Sequence, residues 1–245
     1  MIIRILTVVL MSMFMLNGVH AESALETDTI KTSQGDLSIT LIGHGTLAFT
    51  YNGKVVHVDP WTKLANYSKL PKADLILITH EHQDHLDLDA VSKIKKENVK
   101  IFANQKAAEK LPGATVMKNG DVNVVDGITI EAVPAYNLVH KRSSGEPFHP
   151  KGVGNGYVIT FGDKRVYVAG DTENTPEMKA LKNIDIAFLP MNLPYTMTPE
   201  MVADAAKSFK PKVLYPYHTG ETDLSKLLNL MKDSSDIKVV FRNMK

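Results

Sequence analysis

The stretch His80-Glu81-His82-Gln83-Asp84-His85 packs three imidazoles and the Asp84 carboxylate into six positions. Neutral imidazole nitrogen and carboxylate oxygen together suit a borderline-soft divalent cation such as zinc, so a metal site is the first expectation. The run Ala73-Asp74-Leu75-Ile76-Leu77-Ile78-Thr79 just before it reads as a strand covered on both faces. From Leu86 a helical pattern runs to about Lys96, which leaves Asp84 and His85 at a strand-to-helix turn. Loops at the ends of sheet strands hold ligands because a rigid scaffold positions side chains that still reach solvent. His80 and His82, two residues apart, can face one cation while Asp84 and His85 turn toward a neighbouring one.

The rest of the composition narrows the setting. A basic start, Met1-Ile2-Ile3-Arg4, an apolar run from Ile5 to Leu16 and Val19-His20-Ala21 describe a secretory signal peptide cut after Ala21. That run is short for a transmembrane span, so the expectation is a periplasmic or secreted protein without stable membrane insertion after cleavage. An uncleaved amino-terminal anchor is the alternative. Loss of Arg4 with the leader takes the 28 basic residues to 27, against 27 acidic ones. A chain this close to neutral has no global field for polyanions, which argues against nucleic acid and leaves a small-molecule substrate. Cysteine is absent, which rules out disulfides, zinc thiolates and a lipid anchor on cysteine.

Residues 22–36 read as a polar leader and 37–245 as one domain. Strand patterns at Leu37 to Ile42, Leu47 to Tyr51 and Lys54 to Val58 come first, the last two joined by the hairpin signal Asn52-Gly53. Further strands are expected at Lys100 to Ala103, Val122 to Val125 and Ile128 to Val133, with Asp126-Gly127 as a turn, and a helix at Gln105 to Leu111. Tyr157 to Phe161 and Arg165 to Ala169 follow, joined by Gly162-Asp163. Alternation then returns. Thr175-Pro176 and Thr198-Pro199 each open a helix, with threonine as cap and proline at the first position. Strands at Ile184 to Leu189, Lys212 to Tyr217 and Lys238 to Phe241 and a helix at Asp223 to Met231 complete the pattern. Hairpins mixed with strand-helix units imply two packed sheets with helices outside.

Two more candidate ligands stand at strand ends: Asp171 in Gly170-Asp171-Thr172, and His218 closing Lys212-Val213-Leu214-Tyr215-Pro216-Tyr217-His218. Taken alone, each reads as a turn cap or a structural hydrogen-bonder. Beside the histidine cluster, the ordered set His-x-His-x-Asp-His, Gly-Asp-Thr and a late strand-end histidine resembles the metallo-β-lactamase superfamily over about residues 37 to 241. Gly43-His44-Gly45 and Asp59-Pro60-Trp61 further resemble its metal-dependent hydrolases, the branch with ascorbate-phosphate lactonases and the phospholipase D acting on N-acyl ethanolamines.

The resemblance implies an α/β (α+β) fold, an αββα sandwich of two mixed β-sheets with outer helices, and two Zn(2+) ions at one sheet edge, with Mn(2+) or Fe(2+) as alternatives. It puts His80 and His82 on the first metal, Asp84, His85 and His218 on the second, and Asp171 between them. One position departs from the pattern. Relatives place a histidine shortly after a Pro-Ala pair, whereas Pro134-Ala135-Tyr136-Asn137 offers an asparagine amide, a weak zinc ligand. His140 and His149 are the available substitutes. His149 is favoured, since the stretch from Pro150 to Gly156 can fold back before the next strand. His44 and Asp59 either orient ligands by hydrogen bonding or stabilise turns. Tyr136, Trp61, Tyr195 and Met197 either line a pocket or pack internally.

The function expected is that of an exported metal-dependent hydrolase in which a metal-bound hydroxide cleaves an ester, lactone or phosphodiester, with Asp84 orienting the water or moving protons. Neither a Gly-x-Ser-x-Gly elbow nor a phosphate-binding P-loop is present. The competing readings are a metal-binding or ligand-sensing protein without turnover and a β-lactam hydrolase.

Overall fold

The computed structural model describes residues 25–245, so the expected signal peptide and its cleavage after Ala21 lie outside the described residues. Seven strands form the first sheet in chain order: β1 (Glu26–Thr32), β2 (Gly35–Gly43), β3 (Thr46–Tyr51), β4 (Lys54–Val58), β5 (Ala73–Ile78), β6 (Lys95–Ala103) and β7 (Thr115–Val116). The second sheet is likewise ordered along the chain: β8 (Val122–Val125), β9 (Ile128–Ala135), β10 (Gly154–Phe161), β11 (Lys164–Val168), β12 (Ile186–Pro190), β13 (Val213–Tyr217) and β14 (Lys238–Val239). In each, the first four strands pair antiparallel and the rest parallel. Two-residue turns with both central residues at positive φ close two of the hairpins, Asn52-Gly53 at 48° and 75° and Asp126-Gly127 at 51° and 81°.

The period-two alternation of strands sorts the apolar side chains into layers. On β5, Leu75 and Leu77 point into a core shared with the second sheet, while Ile76 and Ile78 meet Ala90, Val91 and Ile94 of α1 (Leu88–Ile94) and Ala107 of α2 (Gln105–Lys110). On β12, Ile186 and Phe188 enter the shared core. Ala187 and Leu189 face the other way, into a layer with Met178 of α3 (Pro176–Lys179), Val202 and Ala206 of α4 (Pro199–Phe209) and Leu227 of α5 (Leu224–Met231). Helix, sheet, sheet and helix therefore stack as an αββα sandwich. Thr175 and Thr198 cap α3 and α4 through their hydroxyls, with proline opening each helix.

Two sequence expectations need correction. The polar leader assigned to 22–36 contains β1, so among the described residues the paired strands start at residue 26 rather than 37. Its half-exposed Thr-Asp-Thr-Ile-Lys pattern buries little on its own, and the strand is held by pairing with β2 and by Asp28, which accepts from Arg242 and Tyr215 far along the chain. The helix expected to run to Lys96 stops at Ile94, because Lys95 already pairs with Ala73 and opens β6.

Candidate metal centre

The loop after β5 carries the histidine cluster, and the strands that converge on it end at the same edge. His44 follows β2, Asp59 follows β4, Asp171 follows β11 and His218 follows β13. His44, Asp59 and His218 adopt positive φ, at 50°, 46° and 48°. Such backbone is rare for side chains with a Cβ and concentrates at functional sites; here it turns each chain abruptly at the sheet edge.

Ligand-type atoms gather in three groups, each with every pair within 4.8 Å: His80, His82 and His149 in the first, His44, Asp84, His85 and His218 in the second, and His80, His85 and Asp171 in a third that overlaps those two. Asp171 stands between the first two and divides its two oxygens. Oδ2 lies 3.3 Å from His149 Nε2 and 3.9 Å from His80 Nε2, while Oδ1 lies 3.4 Å from His85 Nε2 and 3.6 Å from His218 Nε2. Asp84 Oδ2 faces the second group, 3.6 Å from His85 Nε2 and 3.5 Å from His218 Nε2.

These residues fit a pair of cations. Nε2 of His85, His149 and His218 and Oδ1 of Asp171 are buried with no hydrogen-bond partner, an arrangement that costs about 1–3 kcal/mol per group when nothing satisfies it. All the donors are nitrogen and oxygen, a set suited to zinc and to harder first-row ions. Gly45 keeps the space clear, since a Cβ there would stand 2.8 Å from Cε1 of His85.

The ring nitrogens are directed by what lies behind them. Asp59, fully buried, accepts from the Thr79 backbone N–H (2.8 Å), from Thr79 Oγ1 (2.6 Å) and from His85 Nδ1 (2.8 Å). Because the Thr79 hydroxyl donates to Asp59, its oxygen accepts from His80 Nδ1 at 3.0 Å, leaving His80 Nε2 for the centre. On the other side, His149 Nδ1 and the His149 backbone N–H both donate to Asn137 Oδ1, at 2.8 Å each. The Asn137 amide donates in turn to Glu173 (3.1 Å) and to the Tyr195 carbonyl (2.9 Å). Glu173, itself buried, accepts the backbone N–H groups of Leu138, Val139 and His140 at 2.7 Å each.

Electrostatics divide the imidazoles: at His85 burial is outweighed by Asp171 and Asp59, which hold its pKa well above the usual histidine value. Burial, helped by the neighbouring His85, holds the His80 pKa well below the usual histidine value, so its imidazole is neutral. Burial also lowers that of His82. For Asp171, burial acts to raise the pKa, but His218 and His85 outweigh it and keep the carboxyl ionised. At Asp84 burial is likewise outweighed by the neighbouring His218 and His44 imidazoles, and the carboxyl is strongly acidic.

The structure thus brings together all seven sequence-predicted residues, His80, His82, Asp84, His85, His149, Asp171 and His218. Asn137 turns its oxygen to His149 rather than to the centre, and His140 sits apart with Nδ1 2.7 Å from Glu173. His44 approaches Asp84 at 3.1 Å and packs on the His218 ring, centroids 3.6 Å apart. A cavity of 540 Å³ opens onto Asp84, Asp171, His149 and His218, with Trp61 and Tyr195 in its walls. Tyr136 and Met197 are buried instead, Tyr136 with its hydroxyl on Glu177 and Met197 within the layer of α4. Glu173, Arg142 and Phe148 escaped the sequence reading. The only local trace of Glu173 was its place two residues after Asp171.

Residues 38–218 match the β-lactamase superfamily domain. A relative from Thermococcus onnurineus, described as a UPF0173 metal-dependent hydrolase, is 34% identical over 74% of this chain and 84% of its own length. A crystal structure from Parabacteroides distasonis, assigned as a metal-dependent hydrolase, is 48% identical with a TM-score of 0.86 over 91% of this chain and 100% of that one. The metallo hydrolase Igni18 from Ignicoccus hospitalis is 27% identical, with a TM-score of 0.69 over 84% of this chain and 94% of its own.

Proposed function

We propose, for a chain that belongs to the β-lactamase superfamily and to its metal-dependent hydrolases, that it hydrolyses an ester, lactone or phosphodiester with the aid of two zinc ions that the residues around Asp171 would hold. The observation that carries this reading is the division of the Asp171 oxygens, Oδ2 toward His80 and His149 and Oδ1 toward His85 and His218. A carboxylate so placed fixes the spacing of two cations. His80, His82 and His149 would hold one, and Asp84, His85 and His218 the other. When bound, such a pair lowers the pKa of a water between them and polarises the bond under attack.

The remaining steps belong to the chain itself. His44 holds Asp84 Oδ2, leaving Oδ1 to take a proton from the attacking water and return it to the leaving group. Asp59, Thr79 and Asn137 keep the imidazole rings from turning, so the ligand set is pre-organised before substrate arrives. The cavity over Asp84 and Asp171 favours turnover over a purely structural site, because structural zinc sites are closed. In this reading the protein acts outside the cytoplasm after cleavage at Ala21, and the mature amino terminus measured by mass spectrometry checks that placement. Among the described residues no helix is long and apolar enough to cross a membrane.

The test is a panel of chromogenic esters, lactones and phosphodiesters, with nitrocefin as the β-lactam arm, given to chelator-stripped protein reloaded with zinc, manganese or iron. Turnover that disappears on stripping and returns with metal is the expected result. Protein that binds two metals per chain and cleaves none of the panel would leave the non-catalytic binding reading in its place.

A further inference from the structure

Two cavities meet over the centre. The larger, 540 Å³, lies among Trp61, Phe148, Asn192 and Tyr195; the smaller, 380 Å³, runs past Lys106 and Ser144. Arg142 and Phe148 form part of both walls, and among the described residues Arg142 is the only lysine or arginine lining the larger one.

Arg142 is held rather than loose. Its segment closes as a small hairpin, with Lys141 bridged to Pro147, the Arg142 N–H on the Glu146 carbonyl (2.8 Å) and the Gly145 N–H on the Arg142 carbonyl (2.9 Å). The guanidinium lies over the Phe148 ring at 5.1 Å and donates to the Phe148 carbonyl at 3.3 Å. Phe148 in turn meets Tyr195 edge-on, centroids 5.1 Å apart. This stack fixes the plane of the guanidinium and leaves most of its five N–H donors for another acceptor.

No carboxylate takes them. Among the described residues Arg142 has no ion-pair partner, whereas Lys106 faces Glu81 at 3.5 Å and Lys151 faces Glu177 at 3.0 Å. A solvent-exposed, oriented and uncompensated guanidinium beside aromatic walls and a reaction centre is suited to a planar oxyanion.

We propose that Arg142 binds an anionic group of the substrate, a carboxylate or a phosphate set apart from the bond that is cleaved, while Trp61, Phe148 and Tyr195 pack against the apolar segment between the two. The proposal deepens the hydrolase reading and rests on it for the position of the cleaved bond. It makes the substrate an amphiphile with one charged end.

Trp61 is the only tryptophan of the chain and lies in the cavity wall, so its fluorescence reports on occupancy. Glutarate and phenyl phosphate are titrated into zinc-loaded and metal-free protein, followed by fluorescence and by calorimetry. Saturable binding is expected for at least one of them, weakened about tenfold in R142A, less in R142K, and declining with added salt. The kinetic arm compares mono-p-nitrophenyl glutarate, a p-nitrophenyl ester ending in a phosphonate, and neutral p-nitrophenyl valerate on zinc-loaded protein. The anionic-to-neutral ratio of kcat/KM should fall about tenfold in R142A, and the ester that falls further identifies the anion.

Wild-type protein that binds neither anion, R142A that binds both as tightly as wild type, or an unchanged kinetic ratio overturns the proposal. If no ester is cleaved while R142A still loses anion binding, the ester-hydrolase reading fails and the anion site stands.

Discussion

In the first half of the molecule one loop delivers His80, His82, Asp84 and His85 within six residues, whereas in the second half His149 arrives from the connection between β9 and β10, and Asp171 and His218 from beyond the ends of β11 and β13. The loop sets its own internal spacing: the His85 and Leu86 N–H groups both bond back to the His82 carbonyl, at 3.0 and 2.8 Å, and lock the turn. The second half has no such local frame. Its ligands are placed by the parallel register of β11, β12 and β13 and by buried polar props such as Glu173 and Asn137. A site can therefore be concentrated in one turn only if the opposing half supplies the complementary positions through tertiary structure.

Replacing Asp171, whose two oxygens face different clusters, tests this division most severely. D171N should lower turnover by roughly 10³-fold or more, since metal-assisted catalysis depends on the cation pair. Metal analysis should show fewer than two equivalents, while circular dichroism remains native. Full occupancy and activity would mean that the two clusters act independently.

A pH effect separates the halves in another way. His57 on β4 is fully buried, and burial lowers its pKa from 6.5 to about 4 against the opposing hydrogen bond to the Pro71 carbonyl. The unfolded chain takes up this proton first, so the stability contributed by the neutral ring is complete above pH 6.5 and is lost as pH falls toward 4. The loss amounts to about 3 kcal/mol at 1.36 kcal/mol per pKa unit. Denaturant titrations between those limits should show a shallower decline for H57Q than for wild type. Hydrogen exchange on acidification should rise in β4 and β5 before β10 to β13.

Smaller effects distinguish the props on the two sides. D59N removes the negative charge behind His85 and one of the two oxygens that accept from Thr79 and His85, and should weaken metal binding about 10- to 100-fold, measured by competition with a chelating dye. N137A leaves His149 Nδ1 without its acceptor and should cost about tenfold for one of the two cations. Equal losses of both cations in N137A would show that its influence does not stop at the His149 side.

What could be read from the sequence follows the same contrast. The cluster after β5 was legible because the strand, the turn and the ligands are contiguous, and Asn52-Gly53 and the two Thr-Pro starts were legible because their chemistry is local. Strand β1 was hidden, since its residues are polar and its anchor, Asp28 with Arg242, joins opposite ends of the chain. The role of Asn137 was hidden for a related reason. Its residue type suggests a poor ligand, and only the fold brings His149 back to it. Arg142 gave no signal, because an arginine in a polar loop usually faces water and nothing local tells where the loop leads.

The edge that carries the centre is also where the two sheets are joined by directional bonds. The Asn155 N–H reaches the Thr79 carbonyl (3.0 Å), the Tyr157 hydroxyl reaches the Ile78 carbonyl (2.8 Å) and the His218 N–H reaches the His44 carbonyl (2.9 Å). Apolar contacts carry no directional requirement, whereas hydrogen bonds hold both a distance and an angle. The spacing between the ligand groups that the two sheets contribute is in effect a fixed ruler, set by the backbone rather than by the side chains alone.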